Sequence, residues 1–448
     1  MLHDSVSPAL LTRRRPSGLA ASVCAAVAIT ATVGWASVHT RLESSVPAAD
    51  EVLTVSPEHL ELRFSGPVNE ALSAAVLLFP TGDSVHIALR TAGDDNRFLV
   101  GSVPDLEDGE YLVRWRTVSA DGHAVTGEFR FTLTGASLAD GDGEPQLPAT
   151  TQEAVTPSAA QPAAAVPGEA TPAAGVVLLA GLGMVCLLGF AGLLWYCGSL
   201  PLLREPRIER ATLALGWAAL LLLAGDLIGW VMGVVPPGAG LAGIAAATGS
   251  NTGLAGLGRT ALIALALLLL RRRGRAAAAL ALTAVVIGAA SGHAAAISPW
   301  ITMPAKAIHL GSVSIWLGGL LLLVVAPDGP TDETHAWQFI DIARAVSATA
   351  LLAVILILAS GMVQSARFVG DLAAFTGTTY GRGVLLKLTG LVVLVGFGAY
   401  HRFRVMPALE RGGDGRGLRR TVRLETIVML AVVMVAAWLA RVSPPAGH

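Results

Sequence analysis

Long apolar runs recur through the second half of the chain, separated by short polar stretches. Each run is long enough to cross a hydrocarbon core about 30 Å thick. The pattern predicts about eight transmembrane helices. They are expected near residues 174–198, 208–234, 254–270, 276–296, 304–326, 343–366, 383–403 and 421–441. This part, residues 174–445, is predicted to be an all-α polytopic membrane bundle.

A different pattern occupies residues 39–135, where polar and apolar residues alternate. The segments 60–64 (LELRF) and 128–133 (EFRFTL) are examples. A period of two is typical of half-buried strands, and turn clusters such as Gly82-Asp83 separate them. The segment is therefore predicted to be an all-β sandwich or small barrel.

Two further segments flank this predicted β-domain. Residues 1–38 combine a basic cluster, Arg13–Arg15, with an apolar run and then small residues, which is typical of a signal peptide or an uncleaved signal anchor. Either one places the β-domain outside the membrane. Residues 136–173 are rich in Pro, Ala and Thr and are predicted to be an extended linker.

The distribution of charge supports this topology, and the net charge argues against one class of partner. The loops after the first, third and seventh predicted helices are rich in arginine, so the positive-inside rule puts them on the cytoplasmic side of a bacterial inner membrane. The net charge of −1 argues against a nucleic-acid partner. The three cysteines, Cys24, Cys186 and Cys197, all lie in apolar runs, so no disulfide framework is expected.

The first candidate for chemistry is Asp121-Gly122-His123, just after the predicted strand 111–117. Carboxylate and imidazole suit Cu(II), although this tripeptide is also an ordinary turn. His39 is a second candidate. Signal cleavage after Val38 would make it the mature N-terminus, and cleavage after Ala36 would make it the third residue. Either position offers amine or amide nitrogen beside the imidazole, whereas otherwise His39 is simply an exposed residue.

These residues lie in stretches that resemble the CopC copper-resistance family. The similar stretches are 39–50, 60–68 and 111–127, so the resemblance covers nearly all of the β-domain. It implies an Ig-like sandwich that binds Cu(II) through His39, Asp121 and His123. Some members of the family have a methionine-rich Cu(I) site, but residues 39–135 contain no methionine. Only the Cu(II) site is therefore expected here.

The membrane part resembles the CopD family of copper-import proteins. The similar stretches are 309–319 (HLGSVSIWLGG) and 378–387 (TTYGRGVLLK), followed by the loop with His401. CopC–CopD fusions of the YcnJ type have the same order of parts. The resemblance implies copper uptake across the inner membrane.

Ionisable residues inside spanning segments are costly and often functional. His293, Met303 and His309 lie near the outer mouth of the predicted bundle and are a candidate transmembrane copper path. Interfacial placement of His293 and simple packing of Met303 are the alternatives.

Three charged residues also fall in the outer halves of their predicted helices. Asp226, Arg259 and Lys387 are a candidate charge network, either stabilising the bundle or carrying protons. Mutual pairing would offset the cost of removing them from water.

The leading hypothesis is copper import or homeostasis by a protein that is not an enzyme. Expected partners are copper ions, membrane lipid and a copper chaperone or reductase. No ATP-binding P-loop is evident in the sequence. One alternative is a copper buffer or sensor whose bundle is only an anchor. Another is a haem-binding membrane oxidoreductase.

Overall fold

The computed structural model describes residues 40–93, 95–119, 122, 124–135, 174–199, 202–290, 299–326, 333–368, 372–411 and 416–442. These residues form an all-β domain followed by a bundle of helices, which confirms the predicted fold class. The predicted signal and linker lie outside the described residues. So do four candidate ligands, namely His39, Asp121, His123 and His293.

The β-domain contains nine strands in two sheets. They are β1 (Leu42–Val46), β2 (Glu51–Leu53), β3 (His59–Phe64), β4 (Ala74–Leu78), β5 (Ser84–Ile87), β6 (Arg90–Thr91), β7 (Phe98–Ser102), β8 (Gly109–Val118) and β9 (Ala124–Leu133). One sheet has the order β1-β3-β7-β6 and the other the order β2-β9-β8-β4-β5. The pairing of β2 with β9 is parallel, and the other strand pairings are antiparallel.

The alternating sequence fills the space between the two sheets. In β3, Leu60, Leu62 and Phe64 are buried, while the residues between them face outward. The Phe64 ring meets the edge of Trp115 from the other sheet, with 5.2 Å between centroids. Burial of these side chains, at about 25 cal/mol per Å² of apolar surface, is the main force that holds the sheets together.

The bundle contains eleven α-helices in the described residues. They are α1 (Ala174–Ser199), α2 (Pro206–Val234), α3 (Gly240–Gly249), α4 (Asn251–Leu269), α5 (Gly274–Ile287), α6 (Pro299–Val325), α7 (Glu333–Phe368), α8 (Leu372–Gly377), α9 (Thr379–Tyr400), α10 (Met406–Glu410) and α11 (Arg416–Leu439). Seven of them are long and apolar enough to cross a membrane. The predicted helix at 276–296 corresponds to the shorter α5, which ends at Ile287 and continues as a 3₁₀ turn, Gly288–Ala290.

Helices α1 and α6 are the most buried spans and form the centre of the bundle. Gly192 of α1 lies directly against Gly318 of α6, where any Cβ would overlap the facing backbone. Ser314 of α6 donates a hydrogen bond of 2.7 Å to the carbonyl of Leu188. Small residues allow such close helix contact in membranes, where helices associate mainly through packing.

The β-domain packs against one end of the bundle, formed by the end of α2 and the start of α4. We call this the docked end and the opposite one the distal end. An ion pair between Asp226 of α2 and Arg441, just after α11, lies towards the docked end. Arg271, after α4, pairs with Glu209, near the start of α2, at the distal end.

Candidate functional site

The loop between β8 and β9 carries two of the predicted copper ligands. The hairpin closes at the pair Val118 and Ala124, so residues 119–123 form its loop. Gly122 has a φ of 85°, and its N–H donates a hydrogen bond of 2.9 Å to the carbonyl of Ser119. Asp121 and His123, the neighbours of Gly122 in the sequence, lie outside the described residues.

This loop rests on the docked end of the bundle. The indole Nε1 of Trp230 in α2 donates a hydrogen bond of 2.9 Å to the carbonyl of Gly122. A Cβ at position 122 would overlap the side chain of Thr252 at the start of α4. Arg116 of β8 also donates a hydrogen bond to the carbonyl of Gly233. Two polar contacts and one close approach therefore hold this loop and the adjoining end of β8 against α2 and α4.

An apolar patch beside the loop adds to the docking. Leu72 and Val118 of the β-domain pack with Val231, Val234 and Ala247 of the bundle. All five are buried, and Leu72 and Ala247 have no exposed surface. Since apolar burial is the main source of affinity between such surfaces, this patch stabilises the docked arrangement.

A cavity of about 640 Å³ lies next to the loop, between the two parts of the protein. Glu70, Asn96 and Gly122 line it from the β-domain, and Ser250, Asn251 and Thr252 line it from the bundle. The pKa of Glu70 is held below its usual value of 4.5 because its carboxylate accepts two hydrogen bonds from Thr91. A polar chamber with one carboxylate in its wall therefore lies beside the contact between this loop and the start of α4.

His309 lies deeper in the bundle, on α6. Its Nδ1 is 3.1 Å from the Oγ of Ser360 in α7. The hydroxyl of Ser360 donates to the carbonyl of Leu356 at 2.5 Å, which favours the tautomer of His309 whose Nδ1–H donates to the Ser360 oxygen. This leaves Nε2 with a free lone pair, which is the state in which histidine binds a metal. The helix begins at Pro299 rather than at the predicted 304, so His309 lies ten residues inside it.

Met303, another member of the predicted copper path, does not share the face of α6 that carries His309. Met303 is buried with 3% exposure, six residues before His309. At about 100° per residue, six residues place it roughly 120° around α6 from His309. His293 lies outside the described residues. Among the residues that the structure describes, no group of three or more His, Cys, Asp or Glu is arranged to hold a metal ion.

The three predicted charged residues are distributed between two places. Asp226 forms an ion pair of 2.6 Å with Arg441, a partner that the sequence did not indicate. Arg259 packs against Gly288, within electrostatic range of Asp226 and Lys306. Lys387 lies near His309 instead.

Sequence reasoning missed one buried polar cluster near the distal end. Glu425 of α11 is 2% exposed and accepts a hydrogen bond of 3.1 Å from the indole of Trp316. His401 places its Nδ1 3.1 Å from the same carboxylate. Glu425 is one of the few carboxylates within the predicted spans, and that rarity was the available signal.

Two family models and several known proteins match the chain. The model described as CopC domain matches residues 42–134, and the one described as Copper resistance protein D matches residues 341–439. Copper transport protein CutJ of Bacillus subtilis (strain 168) is 28% identical over 432 residues, covering 91% of this chain and 75% of that protein.

Smaller relatives match the β-domain alone. Copper resistance protein C of Escherichia coli is 34% identical over 103 residues, covering 21% of this chain and 81% of that protein. The crystal structure of CopC from Methylosinus trichosporium OB3b is 35% identical, covers 21% of this chain and 93% of that chain, and has a TM-score of 0.21.

Together, the fold and these relatives define a class of copper-handling protein, in which a small β-sandwich is joined to a polytopic membrane bundle. The chain belongs to the CopC family through its β-domain and carries a CopD domain in the same polypeptide. Its named relatives are copper transport and copper resistance proteins.

Proposed function

We propose that the β-domain captures copper as Cu(II) and that the bundle imports it across the bacterial inner membrane. The observation that carries this proposal is the hydrogen bond from Trp230 to Gly122. It fixes the loop that bears Asp121 and His123 against the docked end of the bundle. A copper ion released from this loop therefore enters the adjoining cavity instead of diffusing away.

The proposed ligands have the right chemistry for Cu(II), because two imidazoles and a carboxylate favour this ion over Cu(I). Strand pairing supports bringing His39 to the same edge of the sandwich. It directly precedes Thr40 and Arg41, and the backbone of Arg41 bonds with Ser65. Three residues after Ser65, Val68 forms a β-bridge with Ser119, which begins the loop between β8 and β9.

Inside the bundle, His309 is the proposed receiving ligand. Its Nε2 is available because Ser360 accepts the proton on Nδ1. Imidazole is a ligand for copper in both common oxidation states. A reductase at the outer surface, or a copper chaperone at the inner surface, is the kind of partner that this route implies.

The proposed orientation in the membrane rests on charge. The basic loops after α1 and α4 lie at the distal end, joined by the ion pair of Arg271 with Glu209. Arg402 and Arg404 follow α9 at the same end. By the positive-inside rule this end faces the cytoplasm, so the β-domain faces the outside.

Copper uptake by cells that express the full chain tests the proposal. We expect His309→Ala to lower uptake at all copper concentrations. Asp121→Asn combined with His123→Gln should lower it mainly when copper is scarce, because capture then limits the rate. His86→Gln, on the exposed face of β5, is the matched control.

Equal uptake by the wild type and His309→Ala would remove His309 from the path. If the bundle is only an anchor for a copper buffer, a single spanning helix should replace it with no loss of copper tolerance. That result would contradict import.

A further inference from the structure

Glu425 is a buried carboxylate towards the distal end of the bundle that the copper path does not use. It lies nine residues into α11, about 14 Å along the helix axis. Its Oε1 accepts the hydrogen bond from Trp316, but its Oε2 is fully buried and accepts none. An ionised carboxylate is costly in such a place unless each oxygen is paired. The free oxygen therefore requires a positive partner.

His401 lies opposite this oxygen. Its Nδ1 is 3.1 Å from Oε2, which is an ion-pair distance without the alignment of a hydrogen bond. Its Nε2 is 2.7 Å from the Oγ1 of Thr421. The hydroxyl of Thr421 also bonds to the carbonyl of Leu418 at 2.9 Å, which favours the tautomer whose Nε2–H donates to the Thr421 oxygen.

In this tautomer there is no proton between the Nδ1 of His401 and the Oε2 of Glu425. With its hydrogen on Nε2, a neutral imidazole presents a lone pair at Nδ1. This lone pair faces the lone pairs of a carboxylate at 3.1 Å, which is repulsive. One added proton, on either group, removes the repulsion and leaves the pair neutral as a whole.

The arginines that are close to the pair along the chain do not share its burial. Arg402 and Arg404 on the same segment as His401 are exposed, and so is Arg423 of α11. From α9 the Tyr400 ring lies 6.0 Å from the His401 ring. Titratable groups on the other packed helices include Tyr196 of α1, bonded to Thr349 of α7, and His309 of α6, bonded to Ser360.

Helix α6 joins this pair to the proposed copper path. Lys306, His309 and Trp316 are spaced by three and seven residues, so they share one face of the helix. His401 begins a π-helical segment, His401–Val405, at the end of α9. Such segments are frequent at functional sites.

We propose that Glu425 and His401 bind one proton between them, and that copper movement through the bundle is linked to its uptake and release at the distal end. This inference rests on the proposed copper import. A copper ion that reaches the distal half displaces the proton, which leaves the carboxyl group or the imidazolium for the water at that end. The pair then takes up a proton again when the copper has left.

Proteoliposomes containing the full chain test the linkage. Copper uptake is measured while the pH on the distal side is varied. We expect uptake by the wild type to change several-fold with pH, and uptake by Glu425→Gln to be independent of pH. Glutamine keeps an oxygen for the indole of Trp316, so the variant removes the carboxyl group with little change in shape. Glu209→Gln, at an exposed distal ion pair, is the control and should keep the pH dependence.

Infrared spectroscopy of the purified chain tests the proton directly. The proposal requires a pH-sensitive carboxylic-acid or imidazolium signal that is lost in Glu425→Gln and in His401→Phe. A variant that lowers uptake equally at every pH, with the pH dependence retained, would mean a purely structural role and would overturn the linkage. Absence of the infrared signal would overturn the proton site. If the wild type moves no copper, import and linkage both fail, while the infrared result still decides the proton site.

Discussion

The indole nitrogen of Trp230, in helix α2, donates a hydrogen bond of 2.9 Å to the backbone carbonyl of Gly122, in the β-domain. Gly122 stands between Asp121 and His123, so the bond holds the residue that joins two proposed copper ligands. Tryptophan is well suited to this position, because it favours the membrane–water interface and brings a donor with it. The residue between two proposed copper ligands is therefore in direct contact with the bundle.

Replacing Trp230 by phenylalanine should weaken this coupling. The ring remains, but the donor is lost, and the carbonyl of Gly122 loses a bond worth about 1 kcal/mol. We expect copper uptake at limiting copper to fall several-fold, because the loop no longer stays over the cavity. Uptake at saturating copper should change little. The measurement is initial uptake as a function of copper concentration.

Trp217→Phe is the matched control for this variant. Trp217 lies on the same helix, but its side chain is 54% exposed at the bundle surface. It should leave the uptake curve unchanged. Equal curves for both variants would show that the hydrogen bond has no part in copper delivery.

Gly122 itself is constrained in two ways. Its φ of 85° disfavours any residue with a Cβ, and a Cβ there would also overlap Thr252. Gly122→Ala should destabilise the excised β-domain by about 1 kcal/mol from the backbone alone. In the full chain it should also separate the loop from α4. Denaturant unfolding measures the first effect, and protease access to the loop measures the second.

Gly82→Ala separates the two effects. Gly82 has a similar φ of 91°, but nothing lies within 4 Å of a Cβ built there. It should cost the β-domain a similar amount and leave the loop protected in the full chain. Loss of protection in this control would mean that general instability exposes the loop.

Regular patterns of polar and apolar residues made the fold predictable from the sequence. Contacts between residues far apart in the sequence were not predictable in this way. Alternation in β3 and β8 and the long apolar runs each follow from local burial. The predicted helix 304–326 begins at residue 304, whereas in the structure α6 begins at Pro299 and Pro304 lies inside it. The partner of Asp226 is Arg441, 215 residues away and just past the last apolar run. No spacing rule connects such residues, and the same holds for Trp230 and Gly122.

The ion pair of Asp226 with Arg441 should matter for the stability of the bundle. Both side chains are about a quarter exposed, at 25% and 26%, so most of the surface of each lies inside the protein. Asp226→Asn leaves Arg441 without its counter-charge, and we expect a loss of about 1–3 kcal/mol. Thermal unfolding in detergent gives the measurement.

Asp341→Asn provides the comparison for that pair. Asp341 pairs with Arg344 three residues later, and both side chains are about half exposed. Exposed pairs of this kind contribute about 0.5 kcal/mol or less. A loss in Asp226→Asn no greater than in this control would show that the ion pair does not stabilise the bundle.

Lowering the pH should destabilise the β-domain through protonation of Glu70. Its two hydrogen bonds from Thr91 favour the ionised carboxylate, so its folded pKa lies below 4.5 and its stabilising effect is present above that pH. The effect should be lost as the pH falls from about 4.5 through the lower folded value, because the protonated group no longer accepts both bonds well. Glu70→Gln should reduce this pH dependence, which denaturant unfolding of the excised domain measures. Glu43→Gln, at an exposed position of β1, should retain it, and an unchanged profile in Glu70→Gln would contradict the assignment.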